Sequence, residues 1–115
     1  MVTARPLRDE VWFIDFDPVR GHEQAGRRPG ILLSTDLFNS GPAGLHVVLP
    51  ITRSDRRVRW QVPVQPPEGG LRELRFVKCE NVRSISIDRF AARWGVVSPG
   101  TMAAIEGRLR MLLEL

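Results

Sequence analysis

The apolar residues of this chain fall in short runs that glycine, proline and charged residues interrupt. Such runs include residues 10–16 (EVWFIDF), 30–34 (GILLS) and 45–52 (LHVVLPIT), in which β-branched, aromatic and leucine side chains dominate. Short apolar runs between turn-forming residues are typical of β-strands. Because several such strands follow one another, the sequence predicts a small, strongly bent antiparallel sheet or barrel.

Residues 58–87 are expected to add further strands. Residues 58–65 (VRWQVPVQ) alternate between apolar and polar side chains, as a strand with one buried face does. Pro63 has no amide hydrogen to donate, so this strand is predicted to lie at an edge of the sheet. Residues 71–87 supply one or two more strands with a bend near Glu80, which brings the expected total to five or six. The predicted apolar face carries Val58, Trp60, Val62 and Val64, and the polar face carries Arg59, Gln61 and Gln65.

Near the end of the chain the spacing of apolar residues changes, and the new spacing predicts a helix. Ser98 is suited to cap a helix N-terminus, and Pro99 suits the first helical position. Apolar residues then recur at helical spacing, which indicates a face that packs against the sheet. These residues are Met102, Ile105, Leu109 and Leu112. We therefore expect a mainly β fold with a C-terminal helix, in a single domain over residues 1–115.

The charged residues suggest a class of partner. The formal net charge is +4, and every basic residue except Lys78 is an arginine. Guanidinium groups bind phosphate through two parallel hydrogen bonds and stack on bases, which favours a nucleic-acid partner. An arginine-rich proteome would produce the same bias, so composition alone leaves both interpretations open.

The sequence lacks the signals that mark several classes of protein. Cys79 is the only cysteine, which excludes an intramolecular disulfide and a four-cysteine zinc site. His22 and His46 are isolated from other metal-ligating residues, so neither a metal ion nor a cofactor is expected. No apolar stretch reaches the roughly 18 residues of a membrane span, and the N-terminus has no secretory signal, so we expect a cytoplasmic protein. His46 lies in an apolar strand and is expected to be hydrogen-bonded or to face the surface.

Polar residues collect where the second predicted strand begins and the third ends. Pro29 restricts the preceding Arg28 to an extended backbone. If these strands are antiparallel neighbours, the end of one meets the start of the other and a composite site can form. Arginine, hydroxyl and carboxylate groups together can bind a phosphate, stabilise its charge during attack and move a proton without a metal. The residues in question are Glu23, Gln24, Arg27 and Arg28 before the second strand, and Thr52, Arg53 and Ser54 at the end of the third.

These residues also carry a family resemblance. The segments VWFIDFDPVRGHEQAGRRPGILLS, NSGPAG, VVLPITRS and ENVRSI occur in this order and together span nearly the whole chain. They resemble the MazF/PemK family of toxin endoribonucleases from type II toxin–antitoxin systems. The GHEQAGRRP loop combined with PITRS is the most specific part of the match.

The resemblance implies an SH3-like small barrel of the MazF/CcdB/PemK type, assembled as a homodimer. It implies sequence-specific cleavage of single-stranded RNA without a metal, which leaves a 2′,3′-cyclic phosphate and a free 5′-hydroxyl. It also implies a cognate MazE-like antitoxin whose acidic C-terminal segment folds along the basic groove.

The same resemblance assigns roles to individual residues. The family's catalytic arginine falls on Arg28, its catalytic threonine on Thr52 and its loop glutamate on Glu23, with Gln24 in the same substrate-contacting segment. Charge builds on the nonbridging phosphate oxygens when the ribose 2′-hydroxyl attacks, and Arg28 and Thr52 can stabilise it there. The further candidates for RNA binding are His22, Arg27, Arg53, Ser54, Arg56, Arg57 and Asn81.

Two residues depart from the family pattern. His22 stands where a small residue such as serine is expected, and it can either transfer protons or lie in a solvated loop. Asn81 stands where glutamine is common and can change which base is recognised. Trp60 is expected either in the core or as a stacking surface for RNA, whereas Trp12 and Trp94 are expected to be packing residues.

Two other functions fit the same scaffold. One is a noncatalytic, CcdB-like toxin that binds gyrase, and the other is a module that binds RNA without turnover. A gyrase-binding protein needs no arginine and hydroxyl directed at a phosphate. The RRP and ITRS segments therefore favour the nuclease.

Overall fold

The computed structural model describes residues 5–16 and 26–115, which form a bent β-sheet with a helix packed against it. The described strands are β1 (Glu10–Asp15), β2 (Arg27–Leu32), β3 (Leu45–Thr52), β4 (Gln61–Val64), β5 (Arg75–Lys78), β6 (Arg83–Ser86) and β7 (Phe90–Val96). The helices are α1 (Asp36–Asn39) and α2 (Pro99–Leu113). Short 3₁₀ turns lie at Glu68–Gly70, Cys79–Asn81 and Ile87–Arg89.

The sheet bends at β3. The described strands pair antiparallel in the order β4, β5, β3, β2, β1 and β7, and β6 also pairs with β3. The first half of β3, from Leu45 to Val48, pairs with β6, whereas Ile51 and Thr52 pair with β5. A strand that changes partner along its length turns a corner in a sheet. The predicted bent antiparallel sheet is confirmed, and within the described residues it stays open because β4 and β7 end the order.

The number of strands was underestimated. β7 has the sequence FAARWGV, which contains no continuous apolar run, so the strand pattern did not reveal it. It forms because it pairs with β1, with register shifts on either side of Trp12 and Phe13. The described residues therefore contain seven strands rather than five or six.

The alternation predicted for residues 58–65 is only partly correct. β4 begins at Gln61 and lies at the sheet edge, as Pro63 predicts. Gln61 is buried rather than exposed, because its side chain stabilises the preceding loop. Its Oε1 accepts the Arg56 backbone N–H at 2.9 Å, and its Nε2 donates to the Ser54 carbonyl at 3.0 Å.

The predicted C-terminal helix is confirmed. Ser98 Oγ accepts the Thr101 backbone N–H at 3.1 Å, and Pro99 occupies the first turn. Met102, Ile105 and Leu109 are buried in one core with residues of β1 to β5. No helix in the described ranges is long and apolar enough to cross a membrane.

A close backbone contact fixes the 3₁₀ turn Glu68–Gly70 against β7. Gly70 has a φ of +74°, and a Cβ added there would lie 2.1 Å from the Trp94 carbonyl oxygen. Gly95 faces the same turn, and its Cβ would lie 2.7 Å from the Gly69 carbonyl carbon. Only glycine combines a positive φ with such a close approach at low cost. The contact holds Trp94 in place from its backbone side.

His46 contradicts the expectation of a hydrogen-bonded or surface-facing side chain. It is buried on β3 with its ring centroid 5.0 Å from that of Phe90. Neither ring nitrogen has a hydrogen-bond partner among the residues that the structure describes. Burial lowers the pKa of His46, and the positive charge of Arg5 lowers it further. Phe90, which the imidazole ring contacts, belongs to the second core of the protein.

Candidate active site

The start of β2 and the end of β3 meet at one edge of the sheet. These strands are antiparallel, with Gly30 opposite Pro50. Arg28 precedes Gly30 by two residues and Thr52 follows Pro50 by two residues, so both lie at this edge of the pair. Both side chains line one cleft of about 500 Å³, which we call the arginine cleft. The convergence expected from the sequence is therefore present.

The arginine cleft is strongly basic. Four arginine side chains line it beside the Thr52 hydroxyl, and two aromatic rings complete its wall. A cleft lined by one sign of charge concentrates oppositely charged ligands. Guanidinium groups match the oxygens of a phosphate, so the cleft is suited to a phosphodiester. The lining residues are Phe13, Arg27, Arg28, Pro29, Ile51, Thr52, Arg53, Arg75 and Trp94.

The Thr52 hydroxyl is held by the chain that follows it. The backbone N–H of Ser54 donates to Thr52 Oγ1 at 3.1 Å. Because this bond uses Oγ1 as an acceptor, the hydroxyl proton remains available to an acceptor in the cleft. Thr52 is half-buried, so the donor is fixed in place yet accessible to a ligand.

Two arginines in the cleft share one carboxylate. Arg53 Nε lies 3.0 Å and Arg75 Nη2 lies 3.2 Å from Glu73 Oε2. Arg75 is the more enclosed of the two, with 14% of its side chain exposed against 72% for Arg53. Burial lowers the pKa of Arg75, an effect that Glu73 opposes and Arg53 reinforces. The local balance of two cations and one anion remains positive.

Arg75, Phe13 and Trp94 line the cleft, although the sequence did not predict them as site residues. Trp94 was expected only to pack, yet it stacks on Phe13 with centroids 5.4 Å apart and lines the cleft as well. Arg75 arrives because β5 pairs with β3, with Phe76 opposite Thr52. No short motif marks these positions, and only the strand pairing brings them to the site.

Other predicted site residues lie elsewhere or are not described. Arg56 and Arg57 are exposed in the loop after β3 and are not among the residues that line the arginine cleft, and neither is Asn81 in the turn Cys79–Asn81. Ser54 contributes its backbone N–H rather than its side chain. Three of the predicted site residues, His22, Glu23 and Gln24, lie outside the described residues.

Trp60 takes an intermediate position between its two expected roles. It is half-buried, and the guanidinium carbon of Arg59 lies 5.9 Å from its ring centroid. This distance fits a cation–π contact. In the described residues, no three His, Cys, Asp or Glu side chains cluster so as to hold a metal ion.

The sequence of this chain matches a family model and several curated proteins. The family model for the PemK-like, MazF-like toxin of type II toxin–antitoxin systems matches residues 7–113. Endoribonuclease MazF9 of Mycobacterium tuberculosis is 31% identical over 113 residues, which cover 94% of this chain and 96% of the relative. Endoribonuclease PemK of Escherichia coli is 32% identical over 108 residues, covering 92% of this chain and 80% of the relative.

Solved structures agree with the sequence relatives. MazF from Deinococcus radiodurans superimposes with a TM-score of 0.79 at 27% identity, covering 97% of this chain and 99% of that one. An endoribonuclease in complex with its cognate antitoxin, from a mycobacterial species, gives a TM-score of 0.78 at 25% identity. The match covers 96% of both chains.

Proposed function

The chain belongs to the family of PemK-like, MazF-like toxins of type II toxin–antitoxin systems and is an endoribonuclease toxin of that family; we propose that it cleaves single-stranded RNA, without a metal ion, in the arginine cleft. The observation that carries this proposal is the convergence of Arg28 and Thr52 on one basic cleft. The competing hypothesis of a gyrase-binding protein has no support, because the curated relatives are endoribonucleases.

The proposed reaction is an internal transesterification. The ribose 2′-oxygen forms a bond to the adjacent phosphorus, and the bond from phosphorus to the 5′-oxygen of the next nucleotide breaks. The 2′-hydroxyl loses its proton and the leaving 5′-oxygen gains one. The products are a 2′,3′-cyclic phosphate and a free 5′-hydroxyl, so the reaction consumes no water.

Arg28 and Thr52 act on the phosphate in this proposal. Negative charge builds on the nonbridging oxygens as the 2′-oxygen attacks, and the guanidinium and hydroxyl donate hydrogen bonds to those oxygens. One positioned donor of this kind typically contributes about 3–4 kcal/mol to lowering the barrier. Arginine is a poor proton acceptor because its guanidinium group stays protonated under physiological conditions. Glu23 and His22 are the proposed groups for proton transfer.

The remaining arginines position the substrate. Arg27 and Arg53 lie beside the two proposed catalytic residues and can neutralise the neighbouring phosphates. Contacts with phosphate groups do not depend on the base sequence of the RNA. Gln24 and Asn81 are the proposed readers of base edges, because side-chain amides can both donate and accept hydrogen bonds.

We infer that an acidic antitoxin segment competes with RNA for the arginine cleft. One structural neighbour is an endoribonuclease in complex with its cognate antitoxin. An acidic, disordered segment can fold along a basic groove and exclude the substrate. We also infer that the toxin is a homodimer that acts in the cytoplasm.

The test is cleavage of a long single-stranded RNA in the presence of EDTA, followed by mapping of the 5′ ends. The wild-type protein should cut at one short sequence motif, and Arg28→Ala and Thr52→Ala should each slow cleavage by about 10²–10³ while retaining the wild-type melting temperature. Arg110→Ala, on the exposed side of α2, is the matched control. Loss of wild-type cleavage in EDTA, or full activity of either cleft variant, would contradict the proposal.

A further inference from the structure

A second cleft adjoins the arginine cleft. It has a volume of about 430 Å³, and we call it the flanking cleft. Arg75 and Trp94 line both clefts, so the two form one continuous groove. The residues that line the flanking cleft are Gly70, Arg72, Glu73, Arg75, Arg93 and Trp94.

We propose that the flanking cleft binds a nucleotide adjacent to the scissile linkage, with its base against Trp94 and its phosphate on Arg75. This inference rests on the proposed endoribonuclease function, because it extends the RNA path beyond the cleaved bond. It assigns substrate binding to two residues that no sequence motif marks.

Trp94 offers the base a rigid aromatic surface. Its ring is nearly parallel to that of Phe13, with an interplanar angle of 4°. The indole is only half-buried and borders both clefts, so a base in the flanking cleft contacts it. Stacking on an aromatic side chain accepts every base, because each base has a π-face. The Gly70 contact with the Trp94 carbonyl fixes this wall before RNA arrives.

Arg75 has unused capacity to bind an anion. Its Nε is buried with no partner among the described residues, and Nη2 contacts Glu73 at 3.2 Å. Glu73 also pairs with Arg53, so one carboxylate faces two guanidinium groups. The Arg75 guanidinium carbon lies 6.0 Å from the Trp94 ring centroid, which places the cation beside the proposed base site. One nucleotide can therefore contact both residues at once.

The test measures how much affinity RNA gains on extension into the flanking cleft. A short oligonucleotide spanning the mapped cleavage site carries a 2′-deoxy nucleotide at the attacking position, so that it binds but is not cut. Matched oligonucleotides carry one more nucleotide on the 5′ or 3′ side. Fluorescence anisotropy gives the ratio of the short to the long Kd for each protein. Taking this ratio cancels any effect of a substitution on the shared part of the site.

Extension on one side should tighten binding to the wild type by about tenfold, and Trp94→Leu and Arg75→Gln should each remove part of that gain. An abasic nucleotide at the added position separates the two contributions. The Trp94 variant should then match the wild type, whereas the Arg75 variant should still bind more weakly. Arg110 is not among the described lining residues of either cleft, so the Arg110→Gln variant should retain the full gain in affinity.

Two results would overturn the proposal. One is a wild-type protein that cleaves RNA but gains no affinity from extension on either side. The other is a gain that both variants retain, which would leave the groove to a different occupant such as the antitoxin. A wild-type protein that does not cleave RNA would instead contradict the proposed function. If the melting temperature shows that Trp94→Leu does not fold, the comparison of Arg75→Gln with Arg110→Gln decides the question.

Discussion

The backbone N–H of Ser54 donates to the side-chain oxygen of Thr52, 3.1 Å away at the end of β3. In this bond the hydroxyl oxygen of Thr52 is the acceptor. The hydroxyl proton therefore remains available to donate to a ligand in the arginine cleft. A geometry of this kind stabilises charge that develops on a phosphate oxygen, because the donor is oriented before the reaction begins.

Thr52→Val should therefore lower kcat by about 10²–10³, since it keeps the shape of the side chain and removes the donor. Thr52→Ser retains the hydroxyl and should keep most of the activity. Single-turnover cleavage of a defined oligonucleotide measures both variants. Equal activity of the valine and serine variants would contradict the role of the hydroxyl.

Glu73→Gln should tighten RNA binding and make it more sensitive to salt. The substitution removes the carboxylate that Arg53 and Arg75 share, so the cleft gains one unit of positive charge. Each additional phosphate contact with single-stranded RNA steepens the slope of log K against log salt by about 0.7. Binding titrations between low and moderate salt measure this slope. Glu114→Gln at the end of α2 is the control, and an identical slope in both variants would argue against the shared-carboxylate model.

Gly70→Ala and Gly107→Ala should have opposite effects on stability. Gly70 has a positive φ and backs onto the Trp94 carbonyl, so alanine there should cost about 2 kcal/mol or more. Gly107 lies inside α2, with no atom within 4 Å of its added Cβ, so alanine should stabilise by roughly 0.5–1 kcal/mol. Urea denaturation gives both values. A neutral result at Gly70 would show that the turn can move away from β7.

His46 should make the protein less stable in mild acid. Its ordinary pKa is 6.5, and burial followed by the charge of Arg5 lowers the pKa in the folded protein. Above pH 6.5 the imidazole is neutral in both the folded and the unfolded protein, so His46 does not reduce the free energy of unfolding there. As the pH falls below it the unfolded chain takes up the proton first, so the free energy of unfolding decreases.

His46→Leu should reduce the loss of melting temperature between about pH 7.5 and pH 5.5, because no imidazole remains to be protonated at this position. His22→Gln controls for removal of the other histidine. If the leucine variant loses as much stability in acid as the wild type, another group is responsible for the pH dependence.

Local sequence patterns were sufficient for several parts of the molecule. The apolar run at 45–52 coincides with β3. Ser98 caps α2, which begins where the helical spacing of apolar residues predicts it. The meeting of Arg28 and Thr52 could also be predicted, because it requires only that two successive strands pair. In each case the information lies within a few neighbouring residues or one short connection.

Non-local pairing decided the rest. Arg75 reaches the cleft because β5 pairs with the end of β3, and Trp94 reaches it because β7 pairs with β1, from which it is distant in sequence. The side chain of Gln61 is buried where it bonds to the loop before it, and that of His46 is buried against Phe90, which is distant in sequence. The local sequence therefore determined most of the strands, the terminal helix and the two groups proposed to act on the phosphate. Only the tertiary structure decided which side chains surround them, because those contacts depend on which distant strands pair.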